Sequence, residues 1–189
     1  ALQINFANHS KEYSQDLRLS SDFSGPFDFT AGLYYFKDIA DIDTDYFIAG
    51  QSVTLAQSYR QTRTSYAAYV DATFEFGPSS TLYGGLRYTS DHGRLKRFEV
   101  VPTITLQPTI EYNDAKPSGR IGLRHKFTSD IMAYAQYSRG YRSSGFNGGA
   151  LTSAADINVA RPEFLDSYEA GIKSQFLDRK LTLNLSAFH

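Results

Sequence analysis

The feature that most constrains this chain is a regular alternation of apolar and polar side chains in its last third. From 167 to 176, Tyr168 and Ile172 share one set of alternate positions, and Glu169 and Lys173 occupy the other. Alternation over about ten residues indicates half-buried β-strands. The polar face is too charged for a sealed core, because a charge removed from water needs a partner. A wet face backed by a continuous apolar one is what a membrane β-barrel requires.

The same alternation recurs along the chain and predicts eight strands. Their expected ranges are 12–20, 27–37, 64–76, 81–89, 120–127, 131–141, 167–176 and 181–188. Short connections rich in Gly, Pro, Ser and Asp alternate with long connections at 38–63, 90–117 and 142–166. The second of these holds a β-rich stretch, LKRFEVVPTITL, which could extend its neighbours as a hairpin above the membrane. Because outer-membrane barrels keep short turns periplasmic, the three long connections are expected outside the cell.

Composition excludes several classes of protein. The 189 residues carry a formal net charge of −1, which gives no basis for binding nucleic acid. No apolar run has the length of a transmembrane helix, so a helical membrane protein is excluded. The absence of cysteine rules out disulfides and thiolate metal sites. A hydrophobic content of 41% is compatible with a membrane barrel, because every second residue of its strands is polar.

Two segments near the C-terminus resemble a known family. The stretches YAQYSRGYRSSGFN and RPEFLDSYEAGIKSQFLDRKLTLNLSAF resemble the barrel of TonB-dependent outer-membrane receptors, where a tyrosine-rich strand ends in a Gly-aromatic-cation loop opening. In that family a Pro-Glu-x-x-x-x-Tyr-Glu-x-Gly-x-Lys segment begins the return strand. The matching residues are Pro162, Glu163, Tyr168, Glu169, Gly171 and Lys173. Earlier segments, QDLRLSSDFSGPFDFTAGLYYF and SYAAYVDATFEFGPSSTLYGGLRYTSD, are also similar, so the resemblance covers nearly the whole chain.

The resemblance implies an all-β fold, an antiparallel transmembrane sheet of about eight strands belonging to a larger barrel of roughly 22. It implies the outer membrane of a Gram-negative bacterium and energy-coupled uptake of a ferric siderophore or similar scarce substrate. The implied partners are outer-membrane lipid, that ligand and the TonB inner-membrane complex. The plug domain and the C-terminal strands of the family are expected to be absent from residues 1–189. No cofactor and no enzymatic activity are implied.

The polar stripes predict a lumen lined by charges of both signs, because a dry core would not hold so many. The residues expected to face this lumen are Arg18, Asp71, Glu75, Arg87, Arg120, Arg124, Lys126, Glu169 and Lys173. Each could instead serve only in an ion-pair ladder between strands. Turn length fixes the register of a hairpin, and the short turns predict Asp71 opposite Arg87 and Arg124 opposite Tyr134.

The sixth strand opens into a segment rich in Arg, Tyr and Gly at the expected outer mouth. An anionic iron chelate would require arginine for charge and an aromatic ring for flat contact. The candidate ligand-binding residues are Arg139, Tyr141, Arg142, Phe146 and Asn147. The same residues could instead form a structural bend at the strand end. The glycines here do not match the nucleotide fingerprint G-x-G-x-x-G.

Metal-binding and catalytic signals are weak. Asp41, Asp43 and Asp45 offer oxygen ligands at alternate positions, but the glycine and the closing glutamate of an EF-hand are missing, and a solvated acidic loop is the alternative. The four histidines have no metal-ligand spacing, and His125 is expected at the membrane interface. No G-x-S-x-G elbow occurs, so no catalytic residue is predicted.

Two other classes of protein remain open at this point. A small structural or adhesive outer-membrane barrel without transport would close eight strands by pairing the first strand with the last. A soluble β-sandwich that binds carbohydrate would cover the apolar stripes with a second sheet.

Overall fold

The computed structural model of the protein describes residues 2–48 and 53–189. The strands are β1 (Leu2–Ser20), β2 (Phe27–Ile48), β3 (Val53–Glu75), β4 (Ser80–Val101), β5 (Ile110–Lys126), β6 (Ile131–Arg142), β7 (Gly145–Phe146), β8 (Val159–Ala160), β9 (Glu163–Phe176) and β10 (Leu181–Phe188). A single 3₁₀ turn, Ala154–Asp156, is the one helical element in these ranges. Eight strands form an antiparallel sheet in the order β1-β2-β3-β4-β5-β6-β9-β10, and β7 pairs with β8. The predicted all-β class and the eight-stranded meander are confirmed.

The described sheet is open, with β1 and β10 at its two edges. The small closed barrel required these two strands to pair, and the register of the described strands contains no such pairing. The β-sandwich required a second sheet over the apolar stripes, yet Leu33 and Leu86 on those stripes are 60% and 69% exposed. Neither alternative therefore describes this part of the chain.

One face of the sheet, called the outward face below, carries a band of exposed aliphatic side chains. Its members include Leu17, Leu33, Val70, Leu82, Leu86, Ile121, Leu123, Ile172, Leu183 and Leu185. A tyrosine row borders the band at the end with the long connections: Tyr35, Tyr66, Tyr88, Tyr137 and Tyr168. Phenylalanines border the other end: Phe27, Phe74, Phe76, Phe127 and Phe176. Tyr66 and Phe76 are separated by about 33 Å of extended chain, which at the usual strand tilt of about 40° gives the ~25 Å height of the apolar band of an outer-membrane barrel.

The strands continue far beyond the tyrosine row, and this corrects the predicted loops. β2, β3 and β4 contain 22, 23 and 22 residues, whereas about 9–11 residues span a bilayer. Residues 38–48 and 53–63 are strand rather than loop. Within the predicted connection at 90–117, LKRFEVV continues β4 as one arm of the expected hairpin, and the connection is reduced to 102–109. The tip of the first connection, 49–52, lies outside the described residues. The regular alternation stops above the membrane because neither face contacts hydrocarbon there, but the hydrogen-bonded ladder does not need this alternation.

The observed register agrees with one predicted pair and corrects the other. Arg124 lies opposite Tyr134 as predicted. Asp71, however, lies opposite Gly85 rather than Arg87, because Phe74 and not Phe76 pairs with Leu82 across a longer turn. The observed register differs from the predicted one by two residues. Because this number is even, Asp71 and Arg87 still face inward as predicted.

The true partner of Asp71 comes from the strand beyond. Arg120 Nη2 lies 2.9 Å from Asp71 Oδ2, across β4. Gly85 makes this contact possible, since a Cβ there would lie 2.5 Å from the same carboxylate oxygen. The ion pair therefore joins three strands on the polar face, called the inward face below.

Four inward tyrosines each lie directly opposite a glycine on a neighbouring strand. The pairs are Tyr69 with Gly32, Tyr83 with Gly122, Tyr112 with Gly93 and Tyr134 with Gly171. In each pair a Cβ on the glycine would overlap the tyrosine ring. The ring thus lies flat across the adjacent strand and carries its hydroxyl further, as where Tyr69 Oη donates to Asp16 at 2.9 Å. Contacts of this kind fix register, because a one-residue slip would remove the space.

Replacing Gly122 by Ala should therefore destabilise the sheet by about 1–3 kcal/mol through overpacking against Tyr83. The free energy of unfolding in urea, followed by heat-modifiable electrophoretic mobility, would measure this. Gly140→Ala is the matched control, since its Cβ would lie 3.8 Å from the nearest atom, Leu165 O. In a Tyr83→Ala background the cost of Gly122→Ala should fall below about 1 kcal/mol; an unchanged cost would exclude the ring as its cause.

Candidate functional site at the outer mouth

A β-bulge on β4 changes which side chains face inward above the membrane. Arg97 has a φ of 56°, and the register between β3 and β4 shifts between Ser58 and Arg60. One extra residue on β4 reverses the alternation beyond it. Phe98 and Val100 consequently lie on the same side as Leu95, and all three are buried.

These three side chains form a small apolar core outside the membrane. Ile104 and Ala150 complete it, and Leu55, Tyr59, Ile110, Phe146 and Ile157 pack around it. The rings of Tyr59 and Phe98 stack with centroids 5.5 Å apart. Ala150, Phe146 and Ile157 belong to the connection between β6 and β9. This connection, residues 143–162, is called the mouth loop below, and it folds against the inward face of the extended strands.

Hydrogen bonds tie the mouth loop to the strands. The buried Gln57 side chain donates to the carbonyls of Gly148 and Ala150, at 2.9 and 3.1 Å. The hydroxyl of Thr103 donates to the carbonyl of Leu151. One glutamine thus satisfies the buried carbonyl of Ala150 and the half-buried carbonyl of Gly148.

Two neighbouring carboxylates accept hydrogen bonds from the end of β6 and from the start of the mouth loop. Asp91 and Asp114 lie directly opposite each other on β4 and β5. Tyr141 Oη donates to Asp91 at 3.1 Å, and the Ser144 amide donates to Asp114 at 2.8 Å. Burial, together with the charges of these two carboxylates, raises the pKa of Tyr141 far above its ordinary value. The hydroxyl therefore remains a donor at every physiological pH.

Arg87 and Arg63, on the inward face near the level of the tyrosine row, are held by aromatic rings, and this region is called the inner rim below. The Arg87 guanidinium carbon lies 5.0 Å from the Tyr34 ring centroid and 5.7 Å from that of Tyr69. Arg63, further out, lies 5.1 Å from the Phe36 centroid. Neither arginine forms an ion pair within 2–48 and 53–189. Stacking holds each guanidinium flat, which leaves N–H groups at its edge for a ligand.

The candidate residues from the sequence occupy different positions. Arg139 lies on the outward face, 3.7 Å from Asp166 and over the Phe164 ring. The Arg142 side chain is 82% exposed, and its Nη1 lies 3.6 Å from Glu163 Oε2.

The other three candidates hold the mouth loop in place. Tyr141 bonds to Asp91, and Phe146 packs on Tyr112 with centroids 5.1 Å apart. Asn147 donates to the carbonyl of Asp156 and accepts from the Gly149 amide. Of the five candidates, Arg139 therefore faces outward, and Tyr141, Phe146 and Asn147 make structural contacts.

The residues predicted to face the lumen share the inward face. Arg18 pairs with Asp16, Glu169 accepts from Tyr134 Oη, and Lys173 Nζ lies 5.6 Å from the Tyr134 centroid. Glu75 lies opposite Thr81 on the same face. A recess of about 470 Å³ opens among these side chains, and its lining includes Asp71, Tyr83, Arg120, Arg124, Gln136 and Lys173.

The aspartates considered for calcium do not converge. Asp41, Asp43 and Asp45 follow one another along extended β2, which spaces alternate side chains about 7 Å apart. Asp41 is paired with Arg60. In the part of the chain that the structure describes, no three His, Asp or Glu side chains come together to hold a metal ion. The described geometry therefore does not bring these three carboxylates together around one ion.

Sequence reasoning missed Arg63 as a site residue, although a signal was present. Tyr34 and Phe36 occupy the inward-facing alternate positions of β2, which are otherwise polar and where an aromatic ring has no lipid to contact. Aromatic rings on a wet face indicate cation or ligand contacts.

The bulge gives a direct test of the mouth core. Arg97→Val should destabilise the extended strands by about 1–3 kcal/mol, because a β-branched residue is strained at positive φ. Arg97→Gly, the matched control, should be neutral or slightly stabilising. Hydrogen exchange at the amides of Phe98 and Val100 would measure both, and faster exchange in the glycine variant would contradict the bulge as the cause.

Gln57→Ala should release the mouth loop, since a buried and a half-buried carbonyl lose their donor. Hydrogen exchange at the Asn147 and Ile157 amides should accelerate by roughly tenfold. Gln107→Ala is the control, because that side chain donates only to the nearby Thr105 carbonyl. Unchanged exchange in the Gln57 variant would show that the apolar core alone holds the loop.

Comparisons with known proteins bear on this geometry. The family model described as "TonB dependent receptor-like, beta-barrel" matches residues 3–189. The ferric yersiniabactin uptake receptor FyuA from Yersinia pestis is similar with a TM-score of 0.86 and 21% identity, over 99% of this chain and 29% of that one. The siderophore receptor PiuA from Acinetobacter baumannii gives 0.79 and 19%, over 97% and 32%. The unliganded ferric citrate transporter FecA gives 0.73 and 17%, over 99% and 28%.

Likeness at these identities shows the fold alone, and the chain spans between 28% and 32% of the three solved receptors. The family match is independent of them and covers nearly every residue. With its alternating strands, lipid-facing band and polar inward face, the chain belongs to the TonB-dependent receptor-like β-barrel family, whose members are outer-membrane proteins of Gram-negative bacteria.

Proposed function

We propose that this chain forms part of the wall and outer mouth of a receptor that takes up a ferric siderophore or a similar anionic iron chelate. The observation that carries the proposal is the pair of stacked arginines on the inward face at the mouth, Arg63 and Arg87, which form no ion pair with any residue that the structure describes. The similar solved proteins are a ferric yersiniabactin uptake receptor, a siderophore receptor and a ferric citrate transporter, which supports a ligand of this kind.

The chemistry of this site suits a flat anion. A chelate bearing carboxylate, catecholate or hydroxamate oxygens would accept hydrogen bonds from the guanidinium edges of Arg63 and Arg87. Tyr34, Phe36 and Tyr69 would offer ring faces to its apolar parts. Because the arginines are already oriented by stacking, little side-chain entropy is lost on binding.

The proposed role of the chain is capture and containment. We propose that it belongs to a longer polypeptide whose other segments complete the barrel, fill it with a plug and contact the TonB complex. The open edges at β1 and β10 and the partial coverage of the solved receptors support this. Energy coupling would then come from those other segments, and the inward charges described here would face the plug.

Uptake measurements would test the proposal. Cells carrying the receptor at its natural length would be supplied with radiolabelled iron as ferric citrate and as hydroxamate, catecholate and mixed-ligand chelates. At least one chelate should enter in a TonB-dependent manner. Its uptake should fall roughly tenfold or more in Arg87→Ala and in Arg63→Ala, since a charge-assisted hydrogen bond contributes about 1.5–3 kcal/mol.

Arg139→Ala is the matched control, because that arginine faces outward and is paired with Asp166. Its uptake should equal that of the unmodified receptor. Equal uptake in all three variants would exclude the inner rim as the capture site, and TonB-independent entry of every chelate would exclude the proposed function.

A further inference from the structure

The inward face of β1 and β2 carries an exposed apolar surface above the level of Arg63. Leu2, Ile4 and Phe6 occupy alternate positions of β1 and are 62%, 52% and 66% exposed. Phe6 lies opposite Thr44, and Thr44 lies opposite Gln57, whose side chain donates to the mouth loop on the inward side. Because side chains in one row share a face, this surface also faces inward. It is called the apolar shelf below, and its members are Leu2, Ile4, Phe6, Ile42 and Tyr46.

The two faces of the sheet exchange character at this height. On β1, β2 and β3, the described inward side chains beyond the row of Glu12, Asp38 and Arg63 include none that is charged. The outward side chains at the same heights carry ionisable groups of both signs: His9, Lys11, Asp41, Asp43, Asp45 and Arg60. A partner of the inward wall would therefore meet apolar and uncharged polar groups, and a charged partner would lose its hydration there without compensation.

The shelf continues the mouth core toward β1. Along one row, Val100 and Gln57 are buried beside the mouth loop, whereas Phe6, two strands beyond Gln57, is largely exposed. The described part of the chain therefore covers the apolar wall over β3 and β4 and leaves it open over β1. An exposed apolar surface with polar residues at its border indicates a binding surface.

The chemistry of the shelf suits hydrocarbon better than peptide. Where the mouth loop packs on the strands, Gln57 and Thr103 donate hydrogen bonds to its carbonyls. A covering peptide needs such partners, because a buried carbonyl without a donor is costly. Leu2, Ile4 and Phe6 present no polar side-chain atom, so they suit a chain that has no hydrogen bonds to lose.

The shelf lies directly beyond the proposed capture site. Glu12 shares a row with Arg63, and Phe6 lies six residues further along β1, about 20 Å away. Asn8 and Ser10 occupy the interval on the same face with uncharged polar groups. A chelate held at Arg63 would therefore contact the shelf only through a long substituent. A long acyl chain covers this distance, and an acetyl group does not.

We propose that the apolar shelf binds the acyl chain of an amphiphilic ferric chelate whose iron-binding head group lies at Arg63 and Arg87. The inference rests on the proposed function and narrows its substrate class to chelates that carry a long hydrocarbon chain. The chain would lie along Phe6, Ile4 and Leu2 and remove their apolar surface from water. The head group would accept hydrogen bonds from the two arginines.

Binding of matched chelates would test this. The protein would be extracted from outer membranes at its natural length and reconstituted in nanodiscs. Hydroxamate, catecholate and mixed-ligand chelates of radioactive iron would each be prepared with an acetyl or a palmitoyl group, and retention by empty nanodiscs would be subtracted. For at least one head group, the palmitoyl chelate should bind roughly tenfold or more tightly than the acetyl chelate, because its chain covers at least two large apolar side chains.

Variants of the shelf locate the acyl chain. In I4S/F6S this advantage should fall to about twofold or less, while binding of the acetyl chelate should stay unchanged. Asn5→Ser is the matched control, because Asn5 lies between the two residues on the outward face, opposite Asp45, and it should keep the full advantage. Heat-modifiable mobility would verify folding. Phe6→Ser alone, expected to reduce the advantage about threefold, serves if the double variant does not fold.

Two results would overturn the inference and leave the proposed function intact. One is equal binding of the palmitoyl and acetyl chelates by the unmodified protein, with both weakened in Arg87→Ala. The other is an acyl-chain advantage that persists in I4S/F6S, which would locate the chain elsewhere. Failure of the proposed function gives a different result: either no chelate binds, or binding is the same in Arg63→Ala and Arg87→Ala as in the unmodified protein, and both proposals are then overturned.

Discussion

The hydrogen-bonded ladder between neighbouring strands is the constraint on which the rest of this structure depends. Hydrocarbon offers no water to backbone N–H and C=O groups, so each strand within the membrane must be paired on both sides. Side chains are then free to differ between the two faces, apolar toward lipid and charged toward the interior. The same ladder continues beyond Tyr35, Tyr66 and Tyr88 without needing any hydrophobic contrast, and so it supports β2, β3 and β4 far above the membrane.

The sequence determines the membrane-spanning part of the fold more visibly than the part outside. Between the tyrosine and phenylalanine borders, side chains alternate because the outward face meets lipid and the inward face is polar. The eight predicted strands there correspond to eight observed ones. Above that level neither face meets hydrocarbon, so polar stretches such as DIADIDTDYF and YRQTRT resemble loops while forming strand. The mouth loop was unpredictable for another reason: Gln57 contacts Gly148 and Ala150 across more than 90 residues of chain.

Contacts that cross an intervening strand were also beyond reach of the sequence. Pairwise register placed Asp71 near Arg87, yet the carboxylate reaches over Gly85 to Arg120. The tyrosines opposite glycines follow the same physical rule, since a missing side chain on one strand lets a neighbour extend across it. The sequence did contain one signal for these contacts, namely aromatic residues at inward-facing positions that are otherwise polar. Tyr34 and Tyr69 interrupt the charged stripe because they hold Arg87.

The bulge at Arg97 divides β4 into two halves whose alternation is out of phase. This has an evolutionary consequence for the length of the strand. Gaining or losing one residue between Tyr88 and Leu95 would rotate Leu95, Phe98 and Val100 together out of the mouth core, whereas gaining or losing two would preserve their direction. Related sequences should therefore differ in this stretch by even numbers of residues, or else shift or abolish the bulge at the same time. Insertions beyond Val101, in the turn itself, would not change the direction of these side chains whether their number is odd or even. Length variation should therefore accumulate there.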